Sequence, residues 1–189
     1  TRSALDIAIA FDSVGGEHNA ATAKEYTCYY ARVRDTDVPM AVGVIGDMVT
    51  GSVLEAEAFD VERGVILEEL AMAADDPADV AGEAFFAAAF GGHPLGRPIG
   101  GTPESIRAVG RDEVLSHYRE HYAPNGIVVT AAGAVDHDRF RELVEQVFRD
   151  APDAAPLARR TPSAAADPAV SELTVTHRPT EQVSMLRGS

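Results

Sequence analysis

Apolar and polar positions alternate along this chain in two rhythms, helical over most of its length and strand-like near the start. Residues 3–13 place Leu5, Ala8 and Ile9 against Asp6 and Asp12 at helical spacing, and Gly15–Gly16 ends that helix. His18–Thr22 reads as a first strand, turning at Ala23–Glu25 into a second, β-former-rich strand from Tyr26 to Val33. Val38, Ala41, Val42, Ile45 and Met48 recur at three- and four-residue steps, so Asp37–Met48 reads as an amphipathic helix entered at Pro39. A long helix follows from about Leu54 to Met72, with Val65, Leu67, Leu70 and Met72 apolar and Glu62, Glu68 and Glu69 acidic.

Pro77 to Phe90 predicts another helix, stopped by Gly91–Gly92, and the Gly/Pro-rich HPLGRPIGG is a loop. Residues 111–122 form a helix that Pro124-Asn125-Gly126 breaks. IVVTAAG then reads as a buried strand, and Asp136–Phe148 as a helix capped by Asp136 or Asp138. The Ala/Pro/Asp-rich stretch 151–171 has the composition of a linker. SELTVTHRP reads as one more strand, opening a second unit over 172–189. A hairpin with irregularly alternating helices favours an α+β antiparallel arrangement over a doubly wound parallel sheet.

Composition narrows the options. The 189 residues carry 46% hydrophobic residues, enough for a core, and a formal net charge of −14. Such acidity repels phosphate backbones and argues against nucleic acid as a partner. It favours solubility and the steering of basic peptides. No stretch approaches the roughly 18 apolar residues of a membrane-spanning helix. The opening TRSALDIAIAF lacks the basic start and cleavage site of a secretory signal, so no membrane partner and a cytoplasmic location are expected. The single cysteine, Cys28, permits no internal disulfide and is expected to be a small buried hydrophobe.

Four segments could carry chemistry. HYREH, His117–His121, matches H-x-x-E-H letter for letter. Two imidazoles four residues apart on one helix face can share a zinc, and the Glu between them can take a proton from bound water. Against that, the helix breaks at Pro124 and no Glu follows at the spacing the motif demands. VERGVILEEL places Glu62 and Glu69 seven apart, two turns along one helix face, where acids are ordinarily just solvated. GGEHNAATAKEYTCYYARV is either a core hairpin or an open edge able to pair with an extended peptide. His93 and Arg97 in HPLGRPIGG are either binding residues or parts of a connector.

Taken in order, SVGGEHNAATAKEYTCYYARV, ERGVILEE, HPLGRPIGGTPESI, HYREHYAPNGIVVTAAGAVD and TEQV resemble the pitrilysin/insulinase family of zinc peptidases. The resemblance is to its mitochondrial processing peptidase-like branch and runs over nearly the whole chain. It implies an α+β half-domain with an antiparallel sheet of about six strands flanked by helices, over residues 1–150. It further implies a zinc cofactor and a paired half-domain or homologous subunit. In the family, H-x-x-E-H precedes a Glu ligand by roughly 77 residues. The matching ligand here is Glu69, and Glu62 matches an acid of the catalytic site that supports the metal. The H-x-x-E-H itself would fall before Thr1, so the half-domain is expected to lack its first strand and zinc helix. HYREH then aligns with a family helix that has no metal role. The resemblance also implies that peptide substrates add as a strand along His18, Asn19, Ala20 and Ala21. The expected reaction is hydrolysis of peptide bonds by a zinc metalloendopeptidase, this chain alone being inactive. A non-catalytic structural or substrate-presenting homologue is the alternative.

Overall fold

The computed structural model describes residues 2–151, 173–179 and 181–188. Those residues are mostly helical, with one two-stranded antiparallel sheet, an α+β composition. The elements in order are α1 (Ala4–Asp12), β1 (Glu17–Thr22), β2 (Thr27–Arg32), α2 (Val38–Thr50), α3 (Ala56–Asp75), α4 (Pro77–Phe90), α5 (Pro103–Ala108), α6 (Arg111–His121) and α7 (His137–Val147). They fall into two compact units. The first comprises Thr1–Thr22, Tyr26–Glu55 and Gly110–Ala158, and the second Ala23–Glu25, Ala56–Val109 and Arg159–Ser189.

The first unit is organised around Phe11, which is fully buried together with Val44 and Ala41. Ile7 and Ala10 of α1, Ala31 of β2 and Met40, Ile45 and Met48 of α2 close over this cluster. Ser3 caps α1 and shares a capping box with Asp6, satisfying donors the first turn leaves open. α7 packs on α2 at Gly46, where a Cβ would lie 2.3 Å from the Val147 side chain. Only glycine permits that approach, at the expense of about 1 kcal/mol of helix propensity relative to alanine. Pairing of β1 with β2 puts His18 opposite Ala31, Ala20 opposite Tyr29 and Ala21 opposite Cys28. Leu54 adopts a left-handed φ of 47°, and Arg111 Nε donates to its carbonyl at 2.5 Å.

The second unit has little apolar interior. No residue of α3, α4 or α5 is buried. Caps and polar straps add to the contacts of its half-buried apolar residues and of the Phe86 and Phe90 rings, which stack 5.9 Å apart. Asp76 caps α4 by accepting from Ala78 and Asp79 amides, and Thr102 and Ser105 form a capping box on α5. Lys24 donates to the Arg97 carbonyl at 2.7 Å and sits 4.6 Å from the Phe86 ring centroid.

Several expectations change. IVVTAAG is not a buried strand: residues 127–133 form no ladder, and Val128 is 87% exposed. SELTVTHRP likewise forms no strand over its described residues, 173–179, and Leu173 and Val175 are exposed. Both have β-forming composition, but among the described residues neither finds a partner for its backbone donors and acceptors, and a strand is defined by that pairing. Among the described residues the sheet has two strands, against the six the resemblance implies. Cys28 is exposed rather than buried. Strand alternation turns its neighbours Tyr29 and Ala31 inward and leaves Cys28 on the outer face. The linker segment, apart from Ala151, lies outside the described residues.

Candidate active site elements

α3 is a 20-residue helix. Glu62 and Glu69 lie seven residues apart on it, almost in line down one side. Both are exposed, and neither carboxylate makes a hydrogen bond or ion pair among the described residues. Seven residues span about 10 Å of helix axis, whereas two ligands of one zinc sit within about 4 Å of each other. The two carboxylates therefore do not lie side by side. Glu68 is also exposed but points about 100° away around the helix.

The tie that holds this helix was not singled out in the sequence. Arg63 donates through Nη1 to the Ile106 carbonyl and through Nη2 to the Val109 carbonyl at 2.8 Å. Its guanidinium lies 5.0 Å from the Phe59 ring centroid. The only available signal was a cation beside the Glu62 face, which is weak without knowledge of what it meets.

β1 holds the other expected residues. The His18 ring stacks on Phe11, with centroids 4.4 Å apart and planes at 14°, so this side chain serves the core of the first unit. Asn19 is exposed, and its Oδ1 accepts the Ala20 amide at 2.8 Å. Ala20 and Ala21 are exposed and small. Among the described residues β1 pairs only with β2, which leaves its other edge free. On β2, burial holds the Tyr29 phenol well above its ordinary pKa, and the Tyr122 hydroxyl 3.4 Å away adds to the effect.

His117 and His121 of HYREH lie on α6 with their rings stacked 4.1 Å apart. The His121 Nδ1 is 3.1 Å from the His117 carbonyl oxygen, an interaction within one turn of the helix. Among the described residues no group of three or more His, Cys, Asp or Glu side chains is gathered for a metal.

Residues 1–103 match the family description Insulinase (Peptidase family M16), and residues 108–186 match Peptidase M16 inactive domain. The chain belongs to the M16 peptidase family. A Streptomyces coelicolor protein named as an uncharacterized zinc protease is 48% identical over 99% of the chain and 42% of its own length. A Mycobacterium leprae protein of the same description is 49% identical over 78% of the chain and 33% of its own length. The chain therefore spans less than half the length of these M16 relatives. Among solved structures, an M16-like peptidase from Alicyclobacillus acidocaldarius superposes with a TM-score of 0.73 at 27% identity, over 82% of this chain and 37% of that one. The fold is thus that of M16 peptidases.

Proposed function

We propose that the protein carrying this chain is a zinc-dependent metalloendopeptidase that cleaves extended peptides, of the processing peptidase-like branch, acting in the cytoplasm. Residues 1–150 supply one peptidase half-domain, 151–171 a linker and 172–189 the start of a second half-domain. Peptides are the substrates; nucleic acids and membranes are not partners, and a paired half-domain or homologous subunit completes the site. Glu69 is one metal ligand, and two His ligands with the general base come from an H-x-x-E-H segment outside residues 1–189. When bound, zinc would supply a Lewis acid that activates water and polarises the scissile carbonyl. Within this chain, Glu69 contributes an oxygen donor and Glu62 helps to orient the site from farther out. The free edge of β1, along His18, Asn19, Ala20 and Ala21, offers backbone groups to an added peptide strand. Backbone pairing gives affinity with little sequence preference, so cleavage follows substrate shape.

The observation that carries this reading is the pair of exposed, unpaired carboxylates down one side of α3, in a chain whose relatives are named zinc proteases. In the full-length protein, Glu69→Gln should lower zinc content and peptide cleavage by about tenfold or more, while Glu68→Gln does little. Metal analysis and cleavage rates on both variants are the measurement. Loss on Glu68→Gln alone would shift the ligand assignment by one residue, and no loss on either would end the peptidase reading. A second reading, a non-catalytic structural or substrate-presenting homologue, is favoured by the match of residues 108–186 to the inactive domain.

A further inference from the structure

We propose that Arg63 is a positioning residue: it sets the rotation of α3 about its own axis and so aims Glu62 and Glu69. The proposal rests on the reading of Glu69 as a metal ligand. Its physical basis is independent of that reading. No residue of α3 is fully buried; Phe59, Ile66, Leu67 and Leu70 are half-buried along one side, so apolar packing supplies only part of the restraint on the roll of this helix. Arg63, by contrast, is largely enclosed, its side chain 22% exposed. It reaches two different carbonyls, those of Ile106 and Val109, at the C-terminal end of α5. Ile106 lies in the last turn of α5, where its carbonyl has no partner within the helix, and Val109 follows the helix end in extended backbone. A planar fork bonded to two separate acceptors fixes orientation as well as distance, which a single ammonium cannot do. Phe59 flanks the guanidinium, and Asp60 lies 3.9 Å from its Nε.

The helix geometry makes that restraint matter. Arg63 sits about 100° around the helix from Glu62 and about 120° from Glu69. Pinning it therefore leaves the carboxylate side uncovered while fixing where that side points. A carboxylate lies about 6 Å from the helix axis, so a roll of about 20° moves it by about 2 Å. Metal sites tolerate only about 0.2 Å. The half-buried apolar side and the Arg63 fork restrain the roll together, and the fork is the directional part of that restraint.

The test uses the full-length protein with Arg63→Ala, Arg63→Lys and, in parallel, Glu69→Gln. Zinc affinity is read by competition with a chromophoric chelator, kcat and KM on an extended peptide, and folding by thermal melts of the metal-free protein. Arg63→Ala should weaken zinc binding by about tenfold and lower kcat with KM little changed, and Arg63→Lys should recover part of both. A merely structural strap would instead lower the melting temperature and the fraction of folded protein, leaving zinc affinity per folded molecule and kcat intact, and that result overturns the proposal. Should Arg63→Ala fail to fold, Arg63→Lys decides: zinc affinity equal to the parent's refutes the positioning role, and a measurable loss supports it. Glu69→Gln separates the two ideas. Undiminished zinc binding there overturns the ligand assignment, and the positioning role that depends on it, whatever Arg63→Ala does.

Discussion

The two units of this chain are stabilised in different ways. The first closes around Phe11 and Val44, and every buried hydrophobic residue among the described ones, including Val49 and Ala123, belongs to it. The second holds α3, α4 and α5 with caps, a forked arginine and a lysine on a backbone carbonyl, and buries only Gly96 among its described residues. The candidate ligand Glu69 sits in that second unit. The side of α3 that carries Glu62 and Glu69 is exposed, and the helix is held by half-buried apolar residues together with polar ties.

This contrast can be broken by substitution. Phe11→Ala should have the largest effect, about 3–5 kcal/mol of lost stability in chemical denaturation, because it empties the centre of the buried apolar cluster of the first unit. A loss below about 1 kcal/mol would mean the first unit is not core-driven. Two glycines sharpen the comparison with opposite signs. In α2, Gly46→Ala drives a methyl into Val147 and should destabilise by about 1–3 kcal/mol despite its better helix propensity. In α3, Gly64 has open space around its Cβ position, so Gly64→Ala should stabilise by about 0.5–1 kcal/mol. Equal responses at the two sites would dissolve the distinction.

Caps rank lower. Asp76→Ala removes the acceptor for two amides at the start of α4 and should cost about 1 kcal/mol, a large share of what holds a helix without buried residues. The smallest effect is expected at Ser3 and Asp6. Hydrogen bonds from the Ser3 hydroxyl and amide hold the Asp6 carboxyl below its ordinary value. A depressed folded pKa contributes stability above the unfolded-state value and loses it as pH falls through the lowered one. Ser3→Ala should therefore narrow the stability difference between neutral and acid pH, and an unchanged acid limb in pH-dependent melts would count against the capping box.

Much of the local structure could be read from the residues alone. The helices from Pro77 to Phe90, over 111–122 and over Asp136–Phe148 appear within a residue or so of their expected bounds, because capping and breaking residues mark their ends. The hairpin of β1 and β2 was equally legible, since alternation and the intervening turn are local signals. The place of Glu62 and Glu69 on one side of α3 follows from spacing alone.

What local sequence could not decide was whatever depends on a distant partner. IVVTAAG has the composition of a strand, yet pairing requires a neighbouring backbone, and no residue within the segment reveals whether one is present. Cys28 looks buried by composition, but the face of β2 on which it lies is settled by which side packs on α2. His18 sits in the expected substrate-binding run, and only the fold shows its ring laid against Phe11. Arg63 is the clearest case. Its sequence neighbours are acids and aliphatics, and its partners are two carbonyls more than forty residues away. The sequence by itself determined the helices, the hairpin and the family; the tertiary structure alone decided which side chains are enclosed and which are free, because burial and hydrogen bonding across the chain are properties of pairs.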